Sequence, residues 1–269
     1  MEMLKEKIGL IGVGNMGTAI LEGLLRKEMI LPSQIWIYDK IQEKVEDFAR
    51  RWKVNTASSN STLASGVDLI LLAVKPQDLK ATGDELRKAR PFPIVLSILA
   101  GTPISKIHEH FGREVKAVRA MPNLGAKVGE SVTAIAGSEA KPIALACQIF
   151  SACGKVLELD EKYFDLVTAV SGSGPAYFFY VMELLTKEGV RGGLPEEKAK
   201  LLAVQTALGA ALLASQAKES PEELRKQVTS KGGTTEAALK ILEAKNFSEI
   251  FHEAVEAARQ RGKELSKNS

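Results

Sequence analysis

Gly12-Val13-Gly14-Asn15-Met16-Gly17 spaces three glycines as G-x-G-x-x-G, directly after the apolar run Ile8–Ile11. Glycines at that spacing permit a tight turn, close backbone approach to a pyrophosphate, and a helix lying close on a strand. The stretch Met16–Arg26 follows with helical periodicity, so free N–H groups and a positive dipole end would face the phosphates. The spacing predicts a dinucleotide site; the bland reading is a glycine turn with a purely structural role.

Asp39, in Tyr38-Asp39-Lys40, lies about 20 residues beyond Gly17, where an acid accepts hydrogen bonds from the adenosine ribose. A carboxylate there repels a 2′-phosphate, so Asp39 leans towards NADH over NADPH. Lys40 partly offsets that lean, and an Asp that simply opens a loop is the plainer alternative. Further along, Ala73-Val74-Lys75-Pro76, Ser97-Ile98-Leu99-Ala100-Gly101 and Arg119-Ala120-Met121-Pro122-Asn123 each close a strand-like run. Ligands of open α/β sheets gather at those carboxyl ends, so small and polar residues there are expected to line one crevice.

A second constellation is Thr229-Ser230-Lys231-Gly232-Gly233-Thr234-Thr235-Glu236, just before a clear helix. Paired glycines and threonines at a helix start supply free N–H groups and hydroxyls, which suits a carboxylate. An ordinary N-cap accounts for the same residue types equally well. Ser171-Gly172-Ser173-Gly174-Pro175 is expected to break two helices as a flexible polar turn, either a hinge or a pocket wall.

Other reactive side chains form no constellation. His108 and His110 stand two apart on a helix-like stretch, face different ways, and are expected at the surface. Cys147 and Cys153 lack metal-ligand spacing, and no metal site is expected.

The elements that must position these residues change character along the chain. Strand-like runs fall at Lys7–Val13, Gln34–Tyr38, Leu69–Val74, Ile94–Leu99 and Val115–Ala120, with helix-like stretches at Met16–Arg26, Gln42–Arg51 and Gln77–Lys88. Two more strands, Ser131–Ala136 and Lys155–Leu159, flank a helix from about Glu139 to Cys153. Strands alternating with helices predict an α/β fold, a doubly wound and mostly parallel sheet of the Rossmann type. Beyond about Asp160 only helices are expected: Lys162–Ala169, Ala176–Glu188, Glu196–Gln216, Pro221–Thr229, Thr235–Ala244 and Ser248–Leu265. The expected division is therefore a dinucleotide-binding domain over residues 1–160 and an all-α domain over 161–269.

Leu201–Ala214 is apolar nearly all round, interrupted by Gln205 and Thr206. A helix without a polar face needs cover on every side, which a small helical domain supplies poorly. A partner subunit is the expected cover, and a central helix buried by its own neighbours is the alternative. Composition agrees with an ordinary globular protein: 269 residues, 45% hydrophobic, 26% charged, net charge +3. No basic stripe suggests nucleic acid, no apolar run is long enough to span a membrane, and no secretory signal opens the chain, so a cytoplasmic protein is expected.

Taken in order, IGVGNMGTAI from Ile11's strand onward, AVKP (Ala73–Pro76), SILAG (Ser97–Gly101), RAMPN (Arg119–Asn123), SGSGPAY (Ser171–Tyr177) and TSKGGTTEAALKILE (Thr229–Glu243) resemble the pyrroline-5-carboxylate reductase family over nearly the whole chain. That resemblance implies a Rossmann domain and a helical dimerisation and substrate-binding domain, with the active site between them. It implies a homodimer, commonly assembled further into a decamer. The implied activity is reduction of 1-pyrroline-5-carboxylate to L-proline, the last step of proline biosynthesis, with NADPH or NADH, the family commonly using NADPH.

Matched residue by residue, the resemblance assigns Gly12, Gly14, Asn15, Met16 and Gly17 to the dinucleotide and Asn60 to its ribose. Ala73, Val74, Lys75, Pro76, Ala100 and Gly101 would border the ribose and nicotinamide. Thr235 matches the threonine that hydrogen-bonds the substrate, and Ser230, Gly233 and Thr234 would hold the carboxylate. Lys231 departs from a common proline, and Asp39 from the uncharged or hydroxyl residues of NADPH-preferring relatives. Two other readings compete. A hydroxy-acid dehydrogenase with similar domains would need an acid/base lysine, which Ser171–Tyr180 lacks. A non-catalytic dinucleotide-binding protein would not need the Gly-Gly-Thr-Thr segment.

Overall fold

The computed structural model describes residues 3–87 and 92–268. It divides into two compact units: the first comprises the chain up to Ser173 together with Ala258 onward, the second Gly174–Ala257. The last strand ends at Glu158, so the change to all-helical structure falls near residue 160. The compact units themselves divide later.

The first unit is built on eight strands: β1 (Ile8–Ile11), β2 (Ile35–Tyr38), β3 (Asn55–Thr56), β4 (Leu69–Leu72), β5 (Ile94–Ser97), β6 (Ala117–Met121), β7 (Ser131–Gly137) and β8 (Gly154–Glu158). They form one sheet in the order β3-β2-β1-β4-β5-β6-β7-β8. Every neighbouring pair is parallel except β6 with β7, which runs antiparallel. Its helices are α1 (Asn15–Arg26), α2 (Gln42–Trp52), α3 (Asn60–Ala64), α4 (Leu79–Leu86), α5 (Ile104–Phe111), α6 (Ala140–Ser151) and α7 (Phe164–Val167).

β4 shows why helices cover both faces. Leu69 and Leu71 join the core cluster that holds Leu10, Ile20, Leu24, Ile37 and Phe150, while Ile70 and Leu72 join the cluster of Ile11, Val95 and Phe111. A strand whose alternate residues are all apolar and all buried belongs in the middle of a doubly wound sheet. The order β2-β1-β4 reverses the direction of winding between β1 and β4, and a crevice opens at the carboxyl ends on either side of such a switch point.

Three sequence expectations change. The edge strand β3 and the short helix α3 carry too few residues for a periodic signal and were not foreseen. The helix expected over Gln77–Lys88 is α4, preceded by a 3₁₀ turn at Pro76–Asp78; its expected end at Lys88 lies outside the described residues. The polar turn expected at Ser171–Pro175 is instead helical: α7 widens into a π turn over Thr168–Gly172, where the Ser173 N–H reaches the Thr168 carbonyl at 2.8 Å. Pro175 has no N–H to donate to an i−4 carbonyl, and a widened turn just before it relieves that mismatch.

The second unit contains α8 (Gly174–Arg191), α9 (Glu196–Gln216), α10 (Pro221–Gln227), α11 (Thr234–Ala244) and the first half of α12 (Phe247–Asn268). Pro221 is the first residue of α10, capped by Ser220 in a capping box with Glu223. α8 and α9 pack closely where Gly189 meets Ala199; a Cβ added to Gly189 would stand 2.8 Å from that of Ala199. On α9 only Ala199 and Ala203 are buried, while Leu201, Leu208, Leu212 and Leu213 are exposed on the single chain. Burial of this helix by its own neighbours is therefore ruled out. Its leucines need a partner, as do Phe178, Phe179 and Leu185 on α8, which are likewise exposed.

Candidate functional site

Gly14 caps α1 and begins the site. It lies at the turn between β1 and α1, in extended conformation, and a Cβ added there would meet nothing within 4 Å. Space is thus left open at the N-terminus of α1, the end of a helix that suits a phosphate. Gly12, just before, has φ of +97°, and a Cβ there would come 2.6 Å from the Ala73 carbonyl. Only glycine fits that position, which brings the turn against the end of β4.

Asp39 fixes the turn from the neighbouring strand. Its Oδ2 accepts the Val13 N–H at 2.8 Å, and Oδ1 accepts that of Ile41 at 2.9 Å. The plain reading of Asp39 as a loop-opening residue is thus correct as far as it goes. Yet the same carboxylate also lines the cavity, with acceptor capacity left beyond two N–H groups.

That cavity, about 300 Å³, lies at the carboxyl ends of β1, β2 and β4. Its lining includes Gly12, Gly14, Asp39, Asn60, Ala73, Val74 and Lys75, all expected from the sequence. Asn15, Met16, Gly17, Pro76, Ala100 and Gly101 are not among its lining residues. Gly17 is buried in the first turn of α1, where a Cβ would stand 2.7 Å from the Leu10 side chain, and Gly101 (φ +67°) accommodates the end of α12: a Cβ there would stand 2.9 Å from that of Leu265.

Asn60 is buried at the start of α3, its Nδ2 donating to Glu85 Oε2 at 2.9 Å. A carboxylate only accepts, so this contact fixes which side of the amide is oxygen. Oδ1 is then buried with no hydrogen-bond donor, in a residue that lines the cavity. A buried acceptor without a donor is costly, and a ligand hydroxyl would satisfy it. Open space at Gly14 and the unmet Oδ1 of Asn60 both fit a dinucleotide.

Glu85, Asp78 and Thr82 also line the cavity and escaped the sequence reading. Asp78, Ala81, Thr82 and Glu85 follow at i, i+3, i+4 and i+7, one face of a helix, and that spacing just after Lys75 was the available signal. Asp78 holds Lys40 with both carboxylate oxygens, at 3.1 and 3.2 Å.

Arg119 does not behave as its strand-end position suggests. It is 4% exposed, pairs with Glu161 at 3.1 Å, and sets its guanidinium 4.7 Å from the ring centre of Phe164. Burial pushes its proton affinity down, and Glu161 and Asp165 oppose that. Glu161 also accepts the Ile104 N–H at 2.8 Å, so this group ties β6 to the start of α5. His108 is not a surface residue either: it is half-buried, its Nε2 3.1 Å from the Val115 carbonyl. No group of residues suited to a metal ion occurs among the described residues.

The second constellation lies in the helical unit. Gly233 caps α11, whose first turn carries Thr234, Thr235 and Glu236. The Gly233 N–H donates to the Ser230 carbonyl at 3.0 Å, and a Cβ at Gly233 would strike Ser230 Oγ at 2.5 Å. Ser230, Gly233, Thr234 and Thr235 are thus drawn into one tight turn. Glu236 reaches back to accept the Gly232 N–H at 2.9 Å. Thr235 is half-buried, and Ser230 and Thr234 are exposed.

Comparison with known proteins agrees with both halves. Residues 161–265 match the family model for pyrroline-5-carboxylate reductase dimerisation, and residues 7–101 match that for NADP oxidoreductase, coenzyme F420-dependent. Pyrroline-5-carboxylate reductases of Synechocystis sp. and Pseudomonas aeruginosa are each 39% identical to this chain, over 97% and 98% of it and 98% of their own lengths. Among solved structures, a pyrroline-5-carboxylate reductase from Coxiella burnetii superposes with a TM-score of 0.91 at 36% identity, covering 98% of this chain and 99% of that one. The Plasmodium falciparum pyrroline carboxylate reductase, solved with NADP bound, gives 0.86 at 31% identity, with coverage of 98% and 99%. With a glycine cradle at the switch point, a dimerisation segment and full-length relatives at this identity, the chain belongs to the pyrroline-5-carboxylate reductase family.

Proposed function

We propose that this chain reduces 1-pyrroline-5-carboxylate to L-proline with NAD(P)H. The observation that carries the reading is the cavity at the β1–β4 switch point, with open space at Gly14 and the buried, donor-less Oδ1 of Asn60. When bound, the reduced nicotinamide supplies the hydride that the C=N carbon of the substrate accepts. Gly12, Gly14 and the N–H groups of α1 hold the pyrophosphate. Asp39 and Asn60 take ribose hydroxyls, and Ala73, Val74 and Lys75 border the same ligand.

Ser230, Gly233 and Thr234 hold the substrate carboxylate, and the Thr235 hydroxyl hydrogen-bonds the ring nitrogen. An imine accepts hydride best as its iminium, so the protein must favour a protonated nitrogen and keep it oriented. A threonine hydroxyl is too weak an acid to be the proton's source near neutrality. Thr235 therefore orients the nitrogen and relays a proton from water. The nitrogen leaves as an amine and the carbon gains one hydrogen.

The protein works as a homodimer at least, built on the exposed apolar faces of α8 and α9. Both cysteines are free thiols, which suits a cytoplasmic setting, and no helix among the described residues is long and apolar enough to cross a membrane. The test is direct: purified protein, 1-pyrroline-5-carboxylate, and NADH or NADPH in parallel, following loss of nicotinamide absorbance. Substrate-dependent loss with formation of proline is expected; none with either cofactor would overturn the reading.

A further inference from the structure

Six charged side chains line the cavity: Asp39, Asp78 and Glu85 against Lys40, Lys44 and Lys75. The balance is even, so which cation is available decides how an extra phosphate is received. Lys40 follows Asp39 at the carboxyl end of β2, the corner where a Rossmann fold meets the ribose and, in enzymes for the phosphorylated cofactor, places a cation for the 2′-phosphate. Here the ammonium is drawn to the other side of the crevice. It sits 3.1 and 3.2 Å from the two oxygens of Asp78, in the turn that follows β4.

Asp78 is itself held. Its N–H donates to the Lys75 carbonyl at 2.9 Å, and its carbonyl accepts the Thr82 hydroxyl at 2.9 Å. The carboxylate is a third exposed and Lys40 largely so, which makes the pair one that a stronger anion can compete for. A 2′-phosphate arriving at this corner meets the Asp39 carboxylate and must win Lys40 from Asp78. A 2′-hydroxyl meets only an acceptor.

We propose that Asp78 is a specificity-determining positioning residue: by tethering Lys40 it tunes the corner beside Asp39 to the dinucleotide without a 2′-phosphate. This rests on the reading of the cavity as the dinucleotide site. The effect is electrostatic and partly exposed, so its size is that of a surface ion pair or a charge-assisted contact to phosphate.

The experiment measures dissociation constants of NAD⁺ and NADP⁺ by titration calorimetry for the full chain and for Asp78→Asn, Lys40→Met and the double variant. Asp78→Asn is expected to raise affinity for NADP⁺ relative to NAD⁺ by about three- to tenfold. In the Lys40→Met background that gain should vanish. An unchanged ratio in Asp78→Asn would overturn the proposal, as would a gain that persists without Lys40, which would make Asp78 a direct repulsive charge and no tether. Gly14→Val keeps a permitted backbone and fills the cradle, so it should abolish binding of both dinucleotides. Binding that survives it would overturn the site assignment itself, and with it this inference.

Discussion

The carboxylate of Asp39 accepts the backbone N–H of Val13 at 2.8 Å, joining the end of β2 to the glycine turn after β1. One side chain thereby shapes the turn and lines the cavity next to it. Asp39→Asn keeps the volume but turns one acceptor into a donor, so either the Val13 or the Ile41 N–H loses its partner. Unfolding free energy should fall by about 1–3 kcal/mol, measured by urea denaturation. Affinity for NAD⁺ should fall by about tenfold in the same variant, and by less than that for NADP⁺, because the charge that repels a 2′-phosphate is gone. A variant as stable as the parent would show that the contact is incidental.

Asn60 offers a separable contact. Replacement by Ala removes the buried Oδ1 and the donor to Glu85 without touching the turn. The Michaelis constant for the dinucleotide should rise by about five- to tenfold, the worth of one hydrogen bond, with a smaller change in turnover. Steady-state kinetics with saturating imine resolves the two. An unaltered constant would mean that Oδ1 meets no ligand.

The leucines of α9 supply a test of assembly. Leu208, at mid-helix, is 48% exposed on the single chain. If a second copy covers it, Leu208→Glu strips one apolar contact and buries a charge, twice per dimer. Dimer dissociation should strengthen by at least about 10²-fold, from about 1.5–3 kcal/mol per leucine. Sedimentation velocity across a dilution series reads this as a monomer boundary. An undisturbed oligomer would place the interface elsewhere.

Cys153 gives a pH signature. Burial pushes its thiol from an ordinary value near 9 up to about 11, with Lys27 pulling weakly the other way. The folded state thus favours the protonated thiol. The stabilisation is complete below about pH 9 and is lost as pH rises towards about 11, amounting to no more than about 2–3 kcal/mol. Denaturant midpoints should fall over that window, and Cys153→Ala should flatten the fall. A parallel decline in both proteins would assign the loss to other groups.

The sheet and the glycine turn were legible because they are written locally: apolar runs, then glycines, then an amphipathic stretch. The apolar length of α9 was legible too, as a demand for cover. What escaped depends on residues far apart in the chain. Lys40 meets Asp78 and Asn60 meets Glu85 only because β2, β1 and β4 are neighbours in the sheet. Gly101 is pinned by Leu265 from the other end of the sequence. The π turn before Pro175 arises from a competition between helix continuity and a missing N–H, and no periodicity reports it.

The most direct measurement follows one atom. NADH deuterated on the transferable face of nicotinamide C4 is mixed with 1-pyrroline-5-carboxylate and the protein, and the proline formed is examined by mass spectrometry and NMR. The expected result is one deuterium on the proline δ-carbon, formed about 10²-fold more slowly by Thr235→Ala and at closer to the parent rate by Thr235→Ser. Proline without label, or a Thr235→Ala rate equal to the parent's, would contradict the account.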